Sequence, residues 1–394
     1  SLKASYSLTA DRGPASNSLA VFQSFTPWRP STSANESAII LAALENSELT
    51  YEKKNELNIG VALGFVDNRI NVEFDWYRRN NFDLIGYTQT MGVGGVTTKL
   101  ANDATMESTG CEFTISTVNI KNKDFKWTTD WIFGWAENTI TKLDSRSQVY
   151  SLVNGVGRTE GRPIGALYSI PFAGLTEEGL PTFYIDAEHT QVVGPGNYAD
   201  IYFQEYENID YLKYEGTIDP KITGSFGNTF SWKGLKLNVF FTYSFGNVLR
   251  LDNLCPVYSS DYSDLTASMK EMKNRWMVPG DENVTTIPSI PTVRQMREID
   301  ALSNAYSAYN YSTERVAKGD FIRLKELSLA YDLPKKYFEG QNAVSSFGVK
   351  LSATNLWLAY ADKKLNGRDP EYYNTGGVSS PVPRQFTLTV KLGF

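Results

Sequence analysis

The carboxyl-terminal stretch from Gln385 to Phe394 alternates apolar and polar side chains one by one. Read with a period of two, Phe386, Leu388, Val390, Leu392 and Phe394 share one face of a strand, and Gln385, Thr387, Thr389, Lys391 and Gly393 share the other. Such a strand can lie half-buried in a soluble sheet or stand in the wall of a membrane barrel. Repetition separates the two. The pattern recurs along the chain at lengths near the roughly 9 to 11 residues that a tilted strand needs to cross a bilayer.

Taken in order, Leu2, Ala4, Tyr6, Leu8 and Ala10 alternate with Lys3, Ser5, Ser7, Thr9 and Asp11 as a first strand. Pro14, Pro27, Pro30 and a Ser/Asn-rich centre make residues 13–48 a long connection. A second strand over 51–66 puts Leu57, Ile59, Val61, Leu63 and Phe65 on one side. Asp67-Asn68 then marks a tight hairpin into a third strand carrying Ile70, Val72, Phe74 and Trp76. Residues 80–103, with the Gly92 to Gly95 cluster, read as another long connection. A fourth strand over 104–120 and a short turn at 121–124 follow. The fifth strand places Phe125, Trp127, Trp131, Phe133 and Trp135 on one face.

The segment 144–220 is rich in Gly, Pro and Tyr, with short strands expected near 166–170 and 182–185. Strands over 221–232 and 235–246 are joined by Lys233-Gly234. Within the connection 247–320, Leu265, Met269, Met272 and Trp276 have helical spacing and predict a helix that covers its own loop. The eighth strand, 321–333, needs a bulge near Lys325-Glu326, because Ile322 and Leu324 are out of phase with Leu327, Leu329 and Tyr331. A ninth strand over 346–361 and a loop over 362–380 lead to the terminal strand.

The connections alternate long and short, which sorts them to opposite ends of the ten strands, as in an outer-membrane barrel. Turning the last strand over would aim Lys391 at lipid, at a cost of about 2–4 kcal/mol near the midplane, so the apolar face is expected to be the lipid face.

Composition agrees with this reading. The longest apolar run, Ala38 to Leu44, is far short of the roughly 20 residues of a spanning helix, which excludes a helical membrane protein. A barrel escapes that test, since half of each strand is polar; mean hydropathy here is −0.32. Tyr, Phe and Trp make up 13% of the chain, and Tyr and Trp suit a boundary between apolar and aqueous phases as well as sugar stacking. A net charge of −6 gives no basic surface for nucleic acid. Two cysteines, Cys111 and Cys255, and one histidine, His189, provide neither a disulfide scaffold nor a zinc-ligand set.

A series of motifs runs along the chain: Tyr51-Glu52-Lys53-Lys54, Asn68-Arg69-Ile70, Asp75-Trp76-Tyr77, Asp83-Leu84-Ile85, Glu160-Gly161-Arg162-Pro163, Asn274-Arg275-Trp276, Gly319 to Lys325, Asn355-Leu356-Trp357 and the terminal Phe394. Together they resemble the barrel of the SusC-like TonB-dependent transporters of the Bacteroidetes. Each is modest alone; their order and spacing across nearly the whole chain are specific. The resemblance implies an all-β transmembrane antiparallel barrel of roughly 22 strands with a plugged lumen. Residues 1–394 would be its C-terminal ten or so strands, and the start within an alternating run, without a signal peptide, reads as the back part of a longer protein. It further implies an upstream plug and TonB-contacting segment, a SusD-like lipoprotein lid, a dimer of such pairs and an oligosaccharide or peptide cargo. Glycan import is the first expectation and peptide import the second. A passive porin or autotransporter-type barrel and a secreted all-β glycan-binding protein are the alternatives from other classes.

Nothing in the sequence points to catalysis, a cofactor or a metal. His189 lies in a polar stretch without a nucleophile beside it, Glu177-Glu178 and Asp281-Glu282 sit next to glycines as turns do, and Gly92-Val93-Gly94-Gly95 lacks the strand-to-helix context and following Lys of a phosphate loop. Loop aromatics are the ligand-facing candidates: Trp28, Tyr87, Tyr168, Tyr184, Tyr258 and Tyr360, with packing between loops as the plainer role of each. Phe386, Leu388, Val390, Leu392 and above all Phe394 resemble the terminal signal read by the barrel assembly machinery, so Phe394→Ala is expected to slow insertion into outer-membrane lipid; unchanged barrel yield would leave Phe394 as one more lipid-facing residue.

Overall fold

The computed structural model describes residues 1–13, 19–25, 38–92, 95–254, 270–334, 337, 345–373, 381 and 383–393. Ten strands form one antiparallel sheet in up-and-down order. They are β1 (Leu2–Asp11), β2 (Glu52–Phe65), β3 (Ile70–Gln89), β4 (Thr98–Lys121), β5 (Phe125–Leu143), β6 (Ile222–Trp232), β7 (Leu235–Phe245), β8 (Phe321–Asp332), β9 (Ser346–Ala361) and β10 (Gln385–Gly393).

Residues directly opposite one another on neighbouring strands share a face, so the register converts the alternation of single strands into two continuous surfaces. One row runs Leu2, Val61, Phe74, Phe113, Phe133, Gly224, Tyr243, Ile322 across β1 to β8. The adjacent row on the other face runs Lys3, Gly60, Asp75, Glu112, Gly134, Thr223, Ser244. At the far edge Leu329, Leu351 and Leu388 align on the apolar side. Leu388 is 66% exposed and Trp232 56%, so no described element packs over this face.

The expected bulge is present: pairing slips between Phe240 and Phe241, leaving Lys325 unopposed. The tight turn after β2 holds Val66, Asp67 and Asn68 at positive φ. Two expectations need correction. Residues 80–103 are mostly strand, because β3 and β4 continue to Gln89 and from Thr98, joined only by 90–97. The alternation is lost there since the pairing shifts at Asn81/Leu84 and again at Leu84/Ile85, around Asp83 at φ 58°. Residues 265 and 269 of the predicted helix lie outside the described residues, and its described part is a single 3₁₀ turn, Lys270–Asn274, with Met272 buried.

The packed core lies outside the sheet. The described residues of connections 144–221 and 246–320, at the same end of the sheet, fold into one layer. It contains the helices α1 (Val149–Val153), α2 (Val293–Glu298) and α3 (Leu302–Asn310) and short strands that include Ala166–Ser169 and Pro181–Tyr184. Leu152, Ile170, Leu180, Phe183, Tyr198 and Tyr309 are fully buried within it. The two connections are stitched by backbone: Ile170 donates to Tyr311 (3.0 Å), Thr313 to Ile170 (3.1 Å) and Ser289 to Gly179 (2.9 Å). Short turns at 66–69, 122–124 and 233–234, with the connection 333–345, occupy the opposite end.

Candidate binding surface in the loop layer

The motif residues brace the ends of strands. Glu52 accepts the Ile85 amide (2.8 Å), Lys53 pairs with Asp83 (2.6 Å), and Asn102 donates to the Asp83 carbonyl (2.7 Å), which pins the bulge of β3 between its neighbours. Ile140 and the segment 161–162 exchange backbone bonds of 2.8 and 2.9 Å, laying Gly161-Arg162 along β5. Trp276 donates to Glu282 (3.0 Å), and its ring fills the space where a side chain at Gly179 would stand. Arg323 is buried against Asp369 and Glu371, tying β8 to the loop after β9.

Above this bracing the loop layer opens a cavity of about 460 Å³. Tyr150 at α1, Tyr202, Phe203 and Tyr311 supply its rings; Gln204, Asn253, Asn304, Ser307 and Asn310 supply amides and a hydroxyl. No formally charged residue is among its described lining. Tyr311 is central: Tyr150 meets it edge to face at 6.1 Å and Phe203 at 6.0 Å. The two sides are joined through the Tyr150 amide, which donates to the Phe203 carbonyl (2.9 Å). Asn310 accepts the Leu254 amide (3.0 Å), which fixes the residue next to Asn253.

Arg250 lies beneath the cavity. Its guanidinium donates to the carbonyls of Ser312 (2.9 Å), Val153 (3.3 Å) and Tyr168, and stands 6.0 Å from the Tyr311 ring. Burial lowers its pKa to about 10, which leaves it charged at neutral pH. Burial, followed by the neighbouring Tyr150, raises the Tyr311 phenol, so that ring is neutral.

The residues singled out from sequence are not gathered at one place. Trp28, Tyr258 and Phe394 lie outside the described residues. Tyr87 is in β3 and 73% exposed. Tyr168 is packed against the layer's core, bonded to Thr159 (2.7 Å) and in contact with Tyr214. Tyr184 stacks on His189 at 5.0 Å. Tyr360 stands in β9 opposite Ile322, on the apolar face, and not in a loop. Phe386, Leu388, Val390 and Leu392 share the apolar face of β10, as their alternation requires. The cavity's own rings were missed. The local signal for Tyr202, Phe203 and Tyr311 is the density of tyrosine and amide residues in 202–206 and 304–311, and Tyr150 lies outside both stretches.

No family model matches the chain. TonB-dependent receptor P3 of Formosa agariphila is 27% identical over 385 residues, covering 90% of this chain and 35% of that protein. TonB-dependent receptor SusC of Bacteroides thetaiotaomicron is 33% identical over 99 residues, 25% of this chain and 10% of that protein. The RagAB peptide importer in its closed-closed state superposes on all of this chain and 40% of its own, with a TM-score of 0.73 and 25% identity. The chain thus spans about a third of the length of the Formosa relatives it matches, 35 to 38%. By sequence and by fold, the chain is similar to the SusC-like TonB-dependent transporters of the Bacteroidetes, and its ten-stranded antiparallel wall is that of an outer-membrane β-barrel.

Proposed function

We propose that residues 1–394 are the C-terminal barrel wall of a roughly 22-stranded plugged transporter that imports oligosaccharides across the outer membrane. The observation that carries this reading is the row-by-row separation of an apolar face from a polar one, with a folded loop layer at a single end of the wall. The polar face lines the lumen, the loop layer receives cargo beneath a SusD-like lipoprotein lid, and TonB supplies work through an upstream plug. The transporter–lipoprotein pair works as a dimer, and the barrel assembly machinery inserts it by reading the apolar face of β10 and the residue Phe394 that follows it in sequence. No covalent chemistry is involved.

The uncharged lining of the loop-layer cavity favours neutral glycans. Oligopeptide import is the second reading, favoured by the likeness to the RagAB peptide importer. Native mass spectrometry of the full-length protein, gently extracted in detergent, distinguishes them. A co-purifying lipoprotein and hexose-spaced adducts are expected. Peptide adducts would favour the second reading, and a lone, empty barrel would contradict the lidded transporter.

A further inference from the structure

We propose that the groove among Tyr150, Tyr202, Phe203 and Tyr311 is a binding subsite for one uncharged pyranose unit of an oligosaccharide, and that Arg250 is its positioning residue. This rests on the glycan reading above and assigns it a place. A pyranose has two apolar faces and a rim of hydroxyls, so it needs rings to stack on and groups that both donate and accept at the edge. Tyr202 is 57% exposed and Tyr150 49%, which leaves ring surface free for stacking. The side-chain amides and the Ser307 hydroxyl of the lining combine both hydrogen-bonding roles. The volume, about 460 Å³, falls in the range of small-ligand sites.

A peptide that binds by adding a strand needs a run of backbone donors and acceptors that are both free. Here the Tyr150 amide bonds Phe203, the Ile201 amide Tyr198, and the Tyr311 amide Ser307 and Ala308. Along 202–204 the carbonyls of Tyr202 and Phe203 are taken by the Glu205 and Tyr150 amides, so the groove presents amides there without a complete strand edge.

Arg250 explains how two separate connections keep one geometry. Through Val153 it holds the end of α1, which carries Tyr150, and through Ser312 and its place by the ring it holds Tyr311. Lysine in its place keeps the charge but loses the planar fork that reaches several carbonyls at once.

The test uses full-length protein in detergent, with maltohexaose, cellohexaose, xylohexaose and mannohexaose as probes and an uncharged hexapeptide as comparison. Affinity is followed by calorimetry and location by hydrogen–deuterium exchange. At least one hexasaccharide is expected to bind and to slow exchange over 149–154, 201–205 and 302–311. Tyr202→Ala, at an exposed ring, is expected to weaken it at least tenfold without changing the melting point. Arg250→Lys is expected to weaken it similarly and to shift the resonance of a fluorotyrosine at 311 even without sugar. A hexasaccharide that binds with those segments unprotected and Tyr202→Ala silent would overturn the subsite and leave glycan import standing. Binding of the hexapeptide alone, or of no probe, would overturn both. An unmoved 311 resonance in Arg250→Lys would remove Arg250 from its role.

Discussion

At the scale of single residues, the loop layer depends on buried polar groups whose partners come from other segments. Arg315 is 3% exposed, pairs with Glu271 and donates to the Asp252 carbonyl (2.7 Å), so it holds residues 252 and 271 together. Removing it leaves the partly buried Glu271 carboxylate with Asn366 (2.9 Å) in place of a charged partner; Arg315→Ala should destabilise the layer by about 3 kcal/mol, the low end for breaking a buried pair. Amide exchange at Leu251, whose N–H bonds the Arg315 carbonyl (2.9 Å), should rise accordingly while the sheet is unaffected. Tyrosine ionisation gives a second check. Burial raises Tyr211 to about 12 and Tyr198 further, the latter donating to the Pro181 carbonyl (2.8 Å). A tyrosine in the unfolded chain ionises near 10, so this stabilisation is complete below pH 10 and is lost as the pH rises through about 12. Phenolate absorbance should therefore show late-titrating tyrosines, together with loosening of the loop layer. Titration of every tyrosine near pH 10 in the folded protein would contradict the burial.

At the scale of elements, the two faces of each strand make opposite demands. Leu388→Arg places a cation on the apolar face and should cost about 2–4 kcal/mol near the midplane, whereas Thr387→Arg on the polar face should be tolerated. Urea titration of barrels refolded into vesicles measures both; equal costs would mean the faces are wrongly assigned. Close packing between strands is as demanding. A Cβ at Gly224 would meet the Ile132 carbonyl oxygen at 2.2 Å and the Tyr243 hydroxyl at 2.4 Å. Gly224→Ala should then cost about 1–3 kcal/mol in the same titration. These faces were legible in the sequence wherever lipid sets the pattern, and so all ten strands and the Lys325 bulge could be read from alternation. Beyond the belt the selection for an apolar face ends. Polar Arg78 to Asn81 and the bulge at Asp83 hide the continuation of β3, so that from sequence the strand reads as a loop.

At the scale of the whole molecule, the wall and the loop layer divide the work. The wall has no interior of its own in the described residues, and the large buried side chains concentrate where the two connections meet through contacts that span more than a hundred positions, as Ile170 meets Tyr311. Contacts of that range leave no period in the sequence, which is why the groove could not be read from it while the barrel could. As part of the proposed transporter, this wall would belong to an energised importer. The direct measurement is accumulation of radiolabelled oligosaccharide by cells carrying the full-length transporter, before and after the proton gradient is collapsed. Accumulation above the external concentration is expected, collapsing with the gradient and absent without the transporter. Uptake that follows the external concentration and ignores the gradient would contradict it and identify a passive pore.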